Sequence, residues 1–240
     1  MILSAITDSL LRLLILLPFF AVARNANKNG SLIPVWYSIL IYLVCNILLY
    51  VTTVFSCFGE QYNWTGKIAA FIVLVGCIYF VPGCDKKHSG FTLQMEWTGA
   101  RPILLICSAY LLVRVLLYWR SSEASATIHP ESALFQATMP GLQEELLFRG
   151  ILMGLLNQVL VKPVWKFAGS SFGWAAVITS ILFGLEHGIS LGAGFGIHIN
   201  FFNFIRTALE GFLFSLLVLN TKSIFPAVIY HNVLNLISNH

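Results

Sequence analysis

Long apolar runs alternate with short polar breaks along this chain, and the runs are the length of membrane-crossing helices. A helix needs about 17–25 mostly apolar residues to cross a bilayer. Eight runs meet that description, at about 4–23, 34–58, 67–83, 101–120, 131–160, 171–189, 202–220 and 223–239. The predicted fold is therefore all-α, a polytopic transmembrane helical bundle of about eight spans. The fifth run is long and holds Pro140-Gly141, so it is predicted as one helix kinked there. Pro130, followed by Glu131 and Ser132, suits the first turn of that helix, and Pro226 suits the first turn of the eighth. The polar stretch Asp85 to Ala100 carries Lys86, Lys87 and the amphipathic run Phe91 to Trp97, and is predicted to lie at the membrane interface. No repeat or linker divides the chain. Residues 1–240 are read as one membrane domain, with four peripheral spans and the interfacial loop in 1–129 and the site-bearing spans in 130–240.

Composition agrees with that picture. The 240 residues are 58% hydrophobic and 10% charged, where a soluble domain carries about 25% charged residues. Most of the surface must face lipid. The net charge of +4 comes from Lys and Arg in short loops, which reads as a topology signal and not as a nucleic-acid footprint. These residues cluster after the odd-numbered spans, which places both termini outside the cytoplasm. The five cysteines form no C-x-x-C pair. Cys57 and Cys84 end successive runs and fall on opposite membrane sides, so packing is expected and a disulfide framework is not. The first run ends in Ala21-Val22-Ala23, as a signal-peptidase site does. However, no positive charge opens the chain and Asp8 offsets Arg12, so the span is predicted to be retained.

Against this apolar background a few ionisable residues stand out. Gln143-Glu144-Glu145-Leu146-Leu147-Phe148-Arg149-Gly150 puts two carboxylates and a guanidinium inside the fifth run. Such groups are costly in hydrocarbon, and there they pair with one another or mark a functional pathway. Residues four apart share a helix face, so Glu145 is predicted to pair with Arg149. Glu144 is rotated by about 100° from Glu145 and is free to point elsewhere. It is the candidate general base. Two further runs each carry a histidine, His187 and His231, the latter four residues from Asn235 and on its face. Glu144 lies roughly 20 Å along the fifth helix from Glu131. His187, His231 and Asn235 fall at a comparable depth from the same side, so the four can share one layer. The competing reading is a purely structural charge triad at a helix–helix contact. His88, His129, His198 and His240 lie in loops or at the terminus and receive no role. Glu186 can orient the His187 imidazole, but is read in preference as a solvated interfacial charge.

These motifs resemble those of the CPBP family, the CAAX proteases and bacteriocin-processing enzymes also called Abi. Its signatures are E-E-x-x-x-R, F-x-x-x-H and H-x-x-x-N or D. The chain has Glu144-Glu145-x-x-x-Arg149, Phe183-x-x-x-His187 and His231-x-x-x-Asn235 in that order, and the resemblance covers about 130–240. It implies an eight-helix intramembrane protease fold. Carried over by position, Glu144 and His187 activate the attacking water, and His231 and Asn235 stabilise the oxyanion. Glu145 and Arg149 support the site. The resemblance leaves metal dependence open. Glu144, His187 and His231 make a two-histidine, one-carboxylate set able to hold one divalent metal, zinc, with a position open for water. The same atoms suit a metal-free glutamate base with His and Asn donors.

The implied partners are membrane lipid and a peptide or lipidated protein substrate, with no nucleic acid and no stated oligomeric state. The implied setting is a prokaryotic plasma membrane in preference to the endoplasmic reticulum. One tension follows: the loop charges place the reactive layer toward the non-cytoplasmic side, whereas CAAX processing works from the cytosol. The rival function is that of a non-catalytic membrane protein of the same fold, with an immunity or transporter-like role. A transporter would more often show paired broken spans in two related halves, and none is evident.

Overall fold

The computed structural model describes residues 2–25, 31–52, 62–120, 129–192 and 196–238. Its frame is a set of long apolar helices: α1 (Ile2–Asn25), α2 (Ile33–Val51), α3 (Trp64–Phe80), α5 (Arg101–Arg120), α9 (Trp174–Gly188), α10 (Phe201–Thr221) and α11 (Phe225–Ser238). A short turn of helix, α4 (Lys86–Ser89), lies between α3 and α5. Two antiparallel ribbons complete it, β1 (Pro163–Phe167) with β2 (Ser170–Gly173), and β3 (Ile189–Leu191) with β4 (Ile197–Ile199). The chain is an all-α membrane bundle with two small hairpins. Among the described residues, four helices are long and apolar enough to cross a membrane alone: Leu3–Asn25, Ile33–Val51, Arg101–Arg120 and Phe201–Thr221. The most peripheral, α5, leaves Leu105, Leu112, Leu116 and Trp119 exposed, as a lipid-facing helix should.

Local sequence explains several helix ends. Asn63 caps α3 by accepting from the Gly66 N–H at 2.9 Å, and Asn200 caps α10 by accepting from the Asn203 N–H at 3.0 Å. Lys222 closes α10 in a left-handed conformation (φ 57°). The Asp85 carboxylate accepts from the Lys87 and His88 N–H groups and opens α4. Beyond α4 the interfacial stretch has no regular structure up to α5. Phe91 turns inward onto Phe71 and Phe225, while Leu93 and Trp97 stay exposed. The four described cysteines, Cys45, Cys77, Cys84 and Cys107, are buried and free. Cys57 lies outside the described residues.

The fifth span departs from expectation. In place of one kinked helix the chain forms α6 (Pro130–Gln136), α7 (Met139–Glu145), a π-helical segment (Leu146–Leu152) and α8 (Met153–Val159). The break falls at Ala137-Thr138, before Pro140, because the proline ring is accommodated in the first turn of α7. The π turn then follows directly on Glu145, and all seven of its residues are buried. Single π turns inside helices commonly mark functional sites.

Gly141 sets how closely α7 approaches α11. Its N–H donates to Asn232 Oδ1 at 2.8 Å, and the Asn232 amide donates to Thr138 O at 3.2 Å. A Cβ on Gly141 would lie 2.4 Å from Asn232 Oδ1 and 2.8 Å from Val228 O. Gly141→Ala is therefore expected to push the two helices apart and cost about 1–3 kcal/mol, the scale of core overpacking. Thermal unfolding of the purified protein in detergent checks this, and an unchanged midpoint contradicts it.

Candidate active site

One cavity of about 870 Å³ is lined by Glu144, His187, His231 and Asn235 together with Lys67, Phe183 and residues of α5 and α10. The four candidates from three separate spans thus meet at one surface. The close α7–α11 contact is what aligns them. Asn232 is pinned to Gly141 and Thr138, and its neighbour His231 then faces Glu145, the last residue of α7.

Glu145 and Arg149 are both fully buried and pair through Oε1 and Nη1 at 3.1 Å. The guanidinium also lies 4.4 Å from the Phe183 ring centre and 5.2 Å from that of Phe214. Aromatic faces and one carboxylate together replace the water this cation lacks. Gly211 makes the room, since a Cβ there would stand 2.5 Å from Arg149 Nη2. Glu145 does more than its spacing indicated. The same Oε1 lies 2.8 Å from His231 Nδ1. The imidazole is stacked on Phe214 at 5.1 Å and meets Phe183 edge-on at 5.8 Å. Glu145 and the two rings therefore fix its plane. Nδ1 takes the proton shared with the carboxylate, and Nε2 is left toward Glu144, 3.8 Å from its Oε2.

Glu144 is not the unpartnered acid its sequence position suggested. Lys67 Nζ donates to its Oε1 at 2.6 Å and to Gln143 Oε1 at 2.8 Å. The apolar run of the third span starts at Lys67, which gives this lysine no role, but α3 begins at Trp64, which puts Lys67 inside the helix and beside α7. The signal was present in that it is a lysine bordering an apolar run. What hid it was a helix start misplaced by three residues. The other carboxylate oxygen, Oε2, is buried and has no hydrogen-bond partner among the described residues. A gap of 3.8 Å between it and His231 Nε2 is too long for a direct hydrogen bond.

His187 accepts its constraint from its own helix. A carbonyl only accepts, so Nδ1 donates to Phe183 O at 2.9 Å, and Nε2 has no hydrogen bond among the described residues. The phenylalanine of F-x-x-x-H thus contributes a backbone acceptor as well as a ring, 4.6 Å from the imidazole. Asn235 lines the cavity without a hydrogen bond among the described residues.

Glu186 requires a correction. It is not a solvated charge: Arg12 Nη1 lies 3.7 Å from its Oε1, and its side chain is 18% exposed. Arg12 also donates to Ile189 O, and Asp8 accepts from the Leu191 N–H at 2.7 Å and from the Tyr50 hydroxyl at 2.9 Å. The first helix folds over the end of α9, and this covers Glu186. A smaller chamber of about 240 Å³, lined by Arg12, Asn46, Tyr50 and Glu186, touches Lys67, Glu144 and His187.

The metal-ligand set meets a different obstacle. Among the described residues no group of three or more His, Cys, Asp or Glu side chains is arranged to hold a metal ion. Glu144, His187 and His231 share the cavity wall, but Lys67 occupies one carboxylate oxygen, and an ammonium repels a divalent cation there. The donor set as arranged does not fit a metal.

Comparison with known families bears on this arrangement. The segment 130–237, which carries all three motifs, matches the model of Rce1-like type II CAAX prenyl endopeptidases. The likeness is confined to that segment, a little under half of the chain. No curated protein and no solved structure matches the chain. The Rce1-like segment begins at the first residue of α6 and ends within the last turn of α11, so it holds every cavity-lining candidate except Lys67.

Proposed function

We propose that this protein is an endopeptidase that hydrolyses a peptide bond of a membrane-attached, CAAX-type prenylated substrate by a glutamate-activated water, without a metal. The supporting observation is the state of Glu144. One of its oxygens is held by Lys67 at 2.6 Å, while the other has no hydrogen-bond partner among the described residues and faces His231 Nε2 at 3.8 Å. A water at that oxygen would be the nucleophile, with Glu144 as its general base. In this reading Glu144 Oε2 takes a proton from the water as its oxygen bonds to the substrate carbonyl carbon. His187, through Nε2, helps to orient the water. Asn235, and His231 when its ring carries both protons, donate to the carbonyl oxygen as charge develops there. Glu144 then returns the proton to the leaving nitrogen as the C–N bond breaks. Lys67 needs no role beyond fixing the carboxylate.

Asn235→Ala is expected to lower kcat by about 10²–10³-fold, the scale of one oxyanion donor, with little change in KM. Steady-state cleavage of an S-farnesylated peptide by purified protein in nanodiscs provides the readout. An equal rise in KM at constant kcat would assign Asn235 to ground-state binding. Chelation followed by zinc add-back tests the metal. Full activity through both steps is expected, and activity lost to the chelator and restored by zinc overturns the metal-free reading.

A further inference from the structure

The cavity wall carries more positive charge than the reaction uses. Three cations line it, Lys67, Arg114 and Arg206, against two carboxylates, Glu144 and Glu210. Lys67 is matched by Glu144. Glu210 alone faces both guanidiniums and also accepts from the Tyr110 hydroxyl at 2.7 Å. Arg114 is well satisfied: it donates to Glu210 and Ser238 and reaches the Tyr110 hydroxyl. Arg206 is not. Only its Nη1 is engaged, at 3.3 Å from each Glu210 oxygen, and its Nε and Nη2 have no hydrogen bond among the described residues. A surplus guanidinium with free donors, on the wall of the cavity that holds Glu144, is a site for an anion with paired oxygens.

Its position along α10 indicates which anion. Phe214 stacks on His231 at 5.1 Å and so marks the level of the reacting group. Arg206 lies eight residues earlier on the same helix, about 12 Å along the axis. An extended peptide covers that length in about three to four residues. We propose that Arg206, backed by Glu210 and Arg114, binds the free C-terminal carboxylate of the peptide whose scissile carbonyl lies at Glu144 and His231. This rests on the endopeptidase reading. The residue acts on specificity: it selects a chain that ends a few residues past the cleaved bond.

The test compares an S-farnesylated peptide ending three residues after the cysteine, as the free acid and as the C-terminal amide. The wild-type protein is expected to cleave the acid with a kcat/KM about 10- to 100-fold above the amide, the range of one charge-assisted hydrogen bond. Arg206→Gln is expected to bring the two peptides level, and Arg206→Lys to restore part of the difference. Equal cleavage of acid and amide by wild type overturns the subsite and leaves the peptidase reading standing. Binding of both peptides to Glu144→Gln separates the two ideas. If wild type cleaves neither but this variant binds the acid more tightly, the anion site stands and the peptidase reading falls. If it binds neither, both fall. A guanidinium that instead holds a lipid phosphate would show no acid–amide difference, and Arg206→Gln would lower only the anionic lipid retained by the purified protein. That outcome overturns the proposal.

Discussion

Glu144→Gln is expected to reduce peptide cleavage by at least about 10²-fold, the low end for loss of a general base, while the protein stays folded. The amide keeps the size of the side chain, and its oxygen can still accept from Lys67, which also holds Gln143 at 2.8 Å. What is lost is the basic oxygen facing His231. His187→Ala is expected to fall comparably. Initial rates on a farnesylated peptide, with thermal unfolding as the control for folding, decide the matter. If Glu144→Gln cleaves at the wild-type rate, Glu144 is not the base, and the non-catalytic role for this fold gains ground.

Arg149→Ala is expected to have the largest effect on stability. It leaves the Glu145 carboxylate buried without its guanidinium, and breaking a buried pair from one side costs about 3–5 kcal/mol. The three aromatic rings around the guanidinium would also border a void. Membrane abundance and detergent stability should both drop sharply. Removing both charges, with Arg149→Met and Glu145→Gln together, should recover much of the abundance, since no uncompensated charge remains. It should not recover activity, because His231 Nδ1 loses the carboxylate that holds its ring. If Arg149→Ala accumulates and unfolds like wild type, the structural role of the pair is wrong.

The sequence by itself determined a good deal. Apolar run length marked the membrane helices, because hydrocarbon admits only segments whose backbone hydrogen bonds close internally. Helical periodicity paired Glu145 with Arg149, and those two atoms lie 3.1 Å apart. Both readings depend on local geometry, which a sequence carries. The tertiary structure alone decided which distant groups share a charge. Lys67 reaches Glu144 from 77 residues away, Glu145 holds a histidine 86 residues later, and Arg12 covers Glu186 from the far end of the chain. The break before Pro140 and the π turn after Glu145 were hidden for the same reason. They set how α7 seats on α11, and that seating depends on Gly141 meeting Asn232, a contact between elements that have no periodic relation in the chain. Burial makes each charge require a partner, but only the packing of the helices determines which one it finds.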